Sequence, residues 1–339
     1  MKVGMYYSNS DVRVEEMPVP EFGPGEVLMH IRASGICGSD IMEWYRIKKA
    51  PLVLGHEVTG DVAQVGAGVE DFAVGDRVWA THHVPCNTCH YCLRGHHTAC
   101  ETLHTTSFHP GGFSEYVLVP MLQVDRGMMR LPDEISYEDG SFVEPLGSVV
   151  HGARTAGVGP GDSVLVLGCG IAGLLHIKLA IALGAGRIIA TDINEYRMDA
   201  ARRFGADLVM DAREDVPTLL REANEGRLAD KVIVCAGALA AAEQALECVD
   251  RGGTVLLFAV PKPGETVAVD FNRFWRDDVT IMPSYAAAPA DNALALELIR
   301  SGRVTVGDMI THRLPLDEIQ EGFRLASEGD ECLKVIVEP

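Results

Sequence analysis

The sequence predicts an α/β protein in two parts, a β-rich first half and a second half built as a doubly wound parallel sheet. Three observations carry this. Short strand-like runs between Gly and Pro turns fill the first half. A glycine fingerprint follows a strand near residue 168 and opens an apolar helix. Strand and helix signals then alternate to about residue 285. With 339 residues and 47% hydrophobic content, the chain is long enough for two cores rather than one.

In the first half, "GEVLMHIRASGICGSD", "GDVAQVGAGV" and "GDRVWA" read as short strands of an irregular β-rich domain. They lead into "PCNTCHYCLRGHHTAC", where Cys86, Cys89, Cys92 and Cys100 follow the spacing C-x2-C-x2-C-x7-C. Four thiolates on one short loop, with Gly95 permitting the turn that returns the last of them, suit a tetrahedral zinc ion. A closed four-sulfur shell leaves no position for a substrate, so this zinc is expected to be structural. His90, His96 and His97 are then expected to be solvated. Cys169, Cys235, Cys248 and Cys332 lie in or beside apolar runs and are expected to pack as small hydrophobic groups.

The second half opens with "DSVLVLGCGIAGLLHIKLAIALGAGRIIATDIN". A strand over Val164–Leu167 meets Gly168-x-Gly170-Ile171-Ala172-Gly173, a helix runs to Leu183, and a second strand covers Arg187–Thr191. The glycines allow a tight turn, close approach of backbone N–H groups to a pyrophosphate, and close helix–strand packing. Asp192, nineteen residues after Gly173, is placed to accept both hydroxyls of the adenosine ribose, which favours NAD over NADP. Arg197 stands near enough to flank the adenine. Further strands are predicted in "ADLVMD", "ADKVIVCAG", "GGTVLLFAV" and "VTIMPSY". A helix is predicted in "DNALALELIRSGRVTV", and a helix with a closing strand in "ITHRLPLDEIQEGFRLASEGDECLKVIVEP".

Several function classes are disfavoured. A net charge of −19 repels a phosphate backbone, which argues against nucleic-acid binding. No run approaches the roughly 18 apolar residues of a membrane span. Nine cysteines without an apolar leader run point to reduced thiols and a cytoplasmic location.

The first half also contains "VLGHEVTGDVAQVGAGV", with Cys37 upstream in "GICGSD". Cys37 with the following G-H-E, the four-cysteine lobe and the dinucleotide fingerprint stand in the order found in the zinc-dependent medium-chain dehydrogenases, which the chain resembles along essentially its whole length. The resemblance implies a GroES-like catalytic domain over 1–148 and 289–339, with the zinc lobe at about 85–101, and a Rossmann NAD-binding domain over 149–288. It implies two zinc ions per chain, NAD+ or NADH as cofactor, and a homo-oligomer, dimer or tetramer. By residue matching, Cys37 and His56 would ligate the catalytic zinc. "SFVEPLGSVVHGA" resembles the polyol branch, in which Glu144 would be the third or water-bridged ligand, with Glu57 beside the metal.

The mechanism so implied has zinc acting as Lewis acid on a secondary alcohol, with Ser39 passing the alcohol proton toward the ribose hydroxyls and Asp40 orienting the zinc site. Where many relatives carry a histidine five residues after the cysteine, this chain has Met42, leaving Glu43 or water as the proton exit. Trp44, Tyr45, Phe108, Phe274, Trp275 and Tyr285 are candidates to line a cleft, although aromatic residues more often pack in the core. The implied substrate is a small alcohol of the polyol, cyclitol or amino-sugar type. A 2-amino-3-hydroxy acid, as in threonine dehydrogenases, is the enzymatic alternative. A metal-free dinucleotide-binding protein is disfavoured by Cys37, His56 and Glu144.

Overall fold

Val27, Leu28, Met29 and Ile31 bury one end of the strand Val27–Gly35, and the paired strand Glu57–Val65 starts with four buried residues. These two form the antiparallel centre of a seven-stranded sheet in the computed structural model, which describes residues 1–339. Their register joins two distant stretches of chain. Gly35 lies opposite Glu57 and Ser34 opposite Val58, so the chain leaving one strand at Cys37 meets the chain entering the other at His56. On the far side of Val27–Gly35 lies Lys334–Glu338, with Ile336 opposite Gly35. This sheet belongs to a unit made of Met1–Gly147 and Ala286–Pro339, while Ser148–Tyr285 form a second unit.

The closing strand has a parallel neighbour, Ile310–Pro315, joined to it through the helix Ile319–Glu328. The sequence reading anticipated the helix and the closing strand but not Ile310–Pro315. The segment "ITHRLP" is only partly buried and shows neither alternation nor an apolar run. The preceding helix, Pro289–Arg300, is shorter than expected, because Val304 and Val306 leave it to become buried anchors beyond its end.

The second unit is a six-stranded parallel sheet in the order Leu208–Asp211, Arg187–Asp192, Ser163–Leu167, Ala229–Val234, Val249–Leu257, Thr280–Pro283. Order reverses beside Ser163–Leu167, the place where such sheets bind ligands. Every residue of that strand is buried, as expected with helices on both faces. The helix Ile171–Ala182 is apolar almost all round and is correspondingly buried. No helix of the chain is long and apolar enough to cross a membrane.

One buried group stands out in that helix. His176 is 1% exposed, packs edge-on to Phe258 at 4.8 Å, and has no hydrogen-bond partner on either ring nitrogen. Burial alone pushes its imidazole from 6.5 down to about 3. The folded chain refuses a proton that the unfolded chain accepts, so stability falls as pH drops through this window. The loss from this residue is up to about 1.4 kcal/mol per pH unit. His176→Leu is expected to remove that share, so its urea midpoint should rise relative to wild type at pH 5 more than at pH 7.5. Equal differences at the two pH values would rule His176 out as the source.

Candidate metal and dinucleotide sites

Because of the strand register, Cys37, His56 and Glu57 present Sγ, a ring nitrogen and a carboxylate oxygen within 4.8 Å of one another. Asp40, fully buried, stands behind them. Its Oδ1 lies 3.3 Å from His56 Nδ1 and 3.5 Å from Arg46 Nη2, and its Oδ2 accepts the Cys37 N–H at 3.1 Å. Burial pushes this carboxyl upward, but the His56 imidazole and then the Arg46 guanidinium outweigh it and hold it below its usual value. Asp40 Oδ1, buried and without a hydrogen-bond partner, favours a proton on the nearby Nδ1, the tautomer that leaves the Nε2 lone pair for a metal. A thiolate and an imidazole are a zinc donor pair.

Glu57 divides its carboxylate. Oε2 accepts from Lys334 Nζ, which also donates to Ile36 O at 3.1 Å, while Oε1 is buried without a partner. A buried carboxylate oxygen without a partner, on a residue grouped with Cys37 and His56, is what a cation would satisfy. Gly35 makes the arrangement possible, since a Cβ there would come 2.0 Å from Glu57 Oε2. Glu144 is buried in the first turn of the helix Val143–Thr155. It stays outside the group of mutually close donors, and burial pushes its carboxyl up to about 7, with His56 opposing and Glu57 reinforcing the shift.

Ser39 N–H donates to Cys37 Sγ at 3.4 Å, which keeps the hydroxyl beside the metal donors. Its Oγ accepts from Arg46 Nη2 at 2.9 Å, and its carbonyl accepts from Arg46 Nε at 2.9 Å. Met42 caps the short helix Glu43–Arg46 without a side-chain bond. Glu43, expected as a substitute proton exit, instead turns its carboxylate to the Asn9 N–H at 3.1 Å and is exposed. The sequence reading missed Arg46, Lys334 and His82. His82 packs against His56 with ring centroids 4.7 Å apart and planes tilted by 49°, and keeps a buried Nδ1 without a partner. Among the six aromatic candidates, Phe108 is buried against His82 and Tyr45 lies under Arg46. Phe274 belongs to the core of the second unit, and Trp275 is exposed.

Cys86, Cys89, Cys92 and Cys100 bring all four Sγ atoms within 4.8 Å of one another. Backbone N–H groups of Cys86 and Cys89 point at the Sγ atoms of Cys100 and Cys86, each at 3.3 Å, and Arg126 clamps the Pro85 and Cys86 carbonyls. N–H groups directed at sulfur favour thiolate, the form that binds zinc. His90 and His96 are exposed and His97 half-buried.

In the second unit, Gly168 has φ +100°, and a Cβ on Gly173 would strike Gly168 O at 1.9 Å. At Gly170 a Cβ would meet nothing within 4 Å, and this residue starts the helix Ile171–Ala182 without a side-chain cap. Ile171 and Ala172 complete that first turn. Open space in front of an uncapped helix N-terminus suits a pyrophosphate. Asp192 accepts the N–H of Cys169 at 2.7 Å on Oδ2, and those of Ile193 and Asn194 at 2.8 and 2.9 Å on Oδ1. About one of its four acceptor positions therefore remains for a ribose hydroxyl. Arg197 keeps a buried Nε without a partner.

The sequence matches two family models: "Alcohol dehydrogenase GroES-like domain" over residues 23–133 and "Zinc-binding dehydrogenase" over residues 172–301. It is 32% identical to a sorbitol dehydrogenase of Bacillus subtilis, covering 100% of this chain and 97% of that protein. It is 33% identical to an L-threonine 3-dehydrogenase of Anaeromyxobacter sp., covering 93% of this chain and 92% of the other. The structure is similar to that of 2R,3R-butanediol dehydrogenase from Bacillus subtilis, with a TM-score of 0.87, 28% identity, and 100% and 99% of the two chains covered.

Proposed function

Because the chain belongs to the zinc-binding dehydrogenases, we propose that it oxidises a secondary alcohol of the polyol, cyclitol or amino-sugar type to a ketone, with hydride transfer to NAD+. One catalytic and one structural zinc ion per chain serve this reaction. The observation that carries the reading is the Cys37–His56 donor pair, with Asp40 behind the imidazole, in a chain that also holds the glycine fingerprint and Asp192.

When bound, zinc supplies Lewis acidity toward the alcohol oxygen and the nicotinamide accepts the hydride. The rest is the work of side chains. Cys37 and His56 would hold the metal, Asp40 beside Nδ1 would fix the imidazole tautomer, and Lys334 pairs with one oxygen of Glu57 while the other has no partner. Glu144, buried within electrostatic reach of His56 and Glu57, would complete the shell directly or through water. Ser39 receives the alcohol proton. Gly168, Gly170 and Gly173 admit the pyrophosphate, Asp192 takes a ribose hydroxyl, and Arg197 flanks the adenine.

The test is NADH formation across polyols, cyclitols, amino-sugars and threonine, with metal analysis of the same preparation. Two zinc ions per chain and turnover of a neutral or amino polyol are expected. No turnover across the panel, or fewer than two zinc ions, would defeat the reading. Similarity to an L-threonine 3-dehydrogenase favours a second reading, oxidation of a 2-amino-3-hydroxy acid, and threonine as the best substrate would select it.

Asp192→Gly combined with Ile193→Arg is expected to raise kcat/KM for NADP+ relative to NAD+ about tenfold or more, because a carboxylate facing the 2′-phosphate is replaced by a guanidinium. The same variant should melt at a lower temperature, since the Cys169 N–H loses its buried acceptor. An unchanged cofactor ratio would remove Asp192 from the ribose site.

We place the protein in the cytoplasm, where nine cysteines, none of them in a disulfide, are kept reduced. It is also read as a homo-oligomer. The edge strand Thr280–Pro283 is largely exposed, with Phe271 79% and Trp275 68% exposed nearby, and an open edge flanked by exposed aromatics is suited to pairing. Sedimentation equilibrium returning a monomer would refute that.

A further inference from the structure

We propose that Arg46 is a positioning residue of the proton relay, which turns the Ser39 hydroxyl into a one-in, one-out carrier. This deepens the dehydrogenase reading and rests on it. A serine hydroxyl has one proton to donate and two lone pairs to accept with. Arg46 Nη2 fills one lone pair at 2.9 Å, while Nε holds the carbonyl of the same residue at 2.9 Å, so the planar fork grips Ser39 at two atoms. From below, the Ser39 N–H is tied to Cys37 Sγ at 3.4 Å. One lone pair and one O–H remain. Ser39 can then take the alcohol proton on that lone pair only as its own hydrogen leaves along its O–H.

The proton balance is simple. As the alcohol carbon gives its hydrogen and electron pair to NAD+, the alcohol oxygen gives a proton to Ser39 Oγ, and the original Ser39 proton passes to a water or a ribose hydroxyl. Arg46 takes no part in that transfer, because a guanidinium is not deprotonated in proteins. Its position also explains how the chain works without a basic group at Met42. The hydroxyl is oriented from behind by a fixed charge rather than drained from in front by an imidazole. Arg46 is held in turn by Asp40 at 3.5 Å and lies over the Tyr45 ring at 4.7 Å, so the fork is not free to swing away.

The test uses the zinc-loaded protein and a double-mutant cycle of Arg46→Ala and Ser39→Ala, read by kcat on the best alcohol and by zinc content. A third reading is the calorimetric affinity of the NAD+-loaded protein for trifluoroethanol, an alcohol that is not turned over. With Arg46→Ala, kcat is expected to fall on the order of 100-fold and trifluoroethanol binding to weaken roughly tenfold, with both zinc ions retained. Ser39→Ala should do the same. The double variant should be no worse than Ser39→Ala by more than about twofold, since a residue acting only through Ser39 has nothing further to lose.

Should Arg46→Ala shed zinc, Arg46→Lys is read in its place. Its ammonium keeps a charge beside Asp40 but lacks the planar fork that grips the carbonyl and hydroxyl of Ser39 together, so the same kcat loss is expected with zinc intact. Wild-type kcat in the variant so read, multiplicative losses in the corresponding double variant, or loss of zinc from both variants would each overturn the proposal, the last by assigning Arg46 to Asp40 and the metal. A wild-type protein inactive on the whole alcohol panel would instead bring down the dehydrogenase reading and this proposal together.

Discussion

Lys334→Met is expected to destabilise the protein by about 3–5 kcal/mol, the usual cost of removing one partner from a buried ion pair. Lys334 is 1% exposed and Glu57 is fully buried, so no water replaces the ammonium once it is gone. Glu57 would then hold two unsatisfied carboxylate oxygens where it now has one, and the Ile36 carbonyl would lose a donor as well. Methionine fills similar volume, which confines the effect to charge and hydrogen bonding. A second variant sharpens the test. Lys334→Met with Glu57→Gln removes both charges, and most of the lost stability should return, because a buried pair is often worth little more than its neutral replacement. Urea midpoints with an unchanged m-value measure this. A Lys334→Met midpoint equal to wild type would show that Glu57 does not depend on its partner.

Cys86→Ser should be comparably severe but confined to the lobe. Structural zinc sites in small domains contribute on the order of 10–16 kcal/mol of apparent binding free energy, and that free energy is folding free energy. Here the lobe has little else. Its core is Cys92, Cys100 and Leu103, with Cys86, Cys89 and Ala286 packed around them, so the thiols are most of their own hydrophobic support. Metal content should fall from two zinc ions per chain to one, and residues 86–100 should become the first site of protease cleavage. Cys37 and His56 lie outside the lobe, so the remaining zinc should be theirs. A variant that keeps two zinc ions, resists protease like wild type and loses only activity would contradict a structural role.

What could be read from the sequence divides along a physical line. Cys86 to Cys100 and Gly168 to Asp192 are local patterns, in which ligand spacing and glycine placement carry the geometry within a few turns of chain. The Lys334–Glu57 pair joins positions 277 apart in sequence, and no spacing rule reaches that far. The signal that was there is composition: a lysine inside the apolar run "CLKVIV" requires a buried partner, though not its identity. Arg46 gave no signal, since a lone arginine among exposed neighbours reads as solvated. The helix Val143–Thr155 was hidden by Pro145, which reads as a breaker but is tolerated in a first turn whose N–H groups need no partner. His82 follows a strand as half of a His-His pair, and only its tilted ring contact with His56 singles it out.

The path of the chain through the first sheet sets a timetable for biosynthesis. A ribosome delivers the strands Val27–Gly35 and Glu57–Val65 early, and with them Cys37 and His56. The strand that carries Lys334 emerges only after the whole of Ser148–Tyr285 has been translated. Until then Glu57 has no ammonium to meet and must stay hydrated, so the nascent sheet cannot close over it. The contiguous Ser148–Tyr285 segment carries no such debt and is free to fold as a unit during translation. The Lys334–Glu57 pair is thus a late contact, formed only when a residue translated 277 codons after Glu57 arrives.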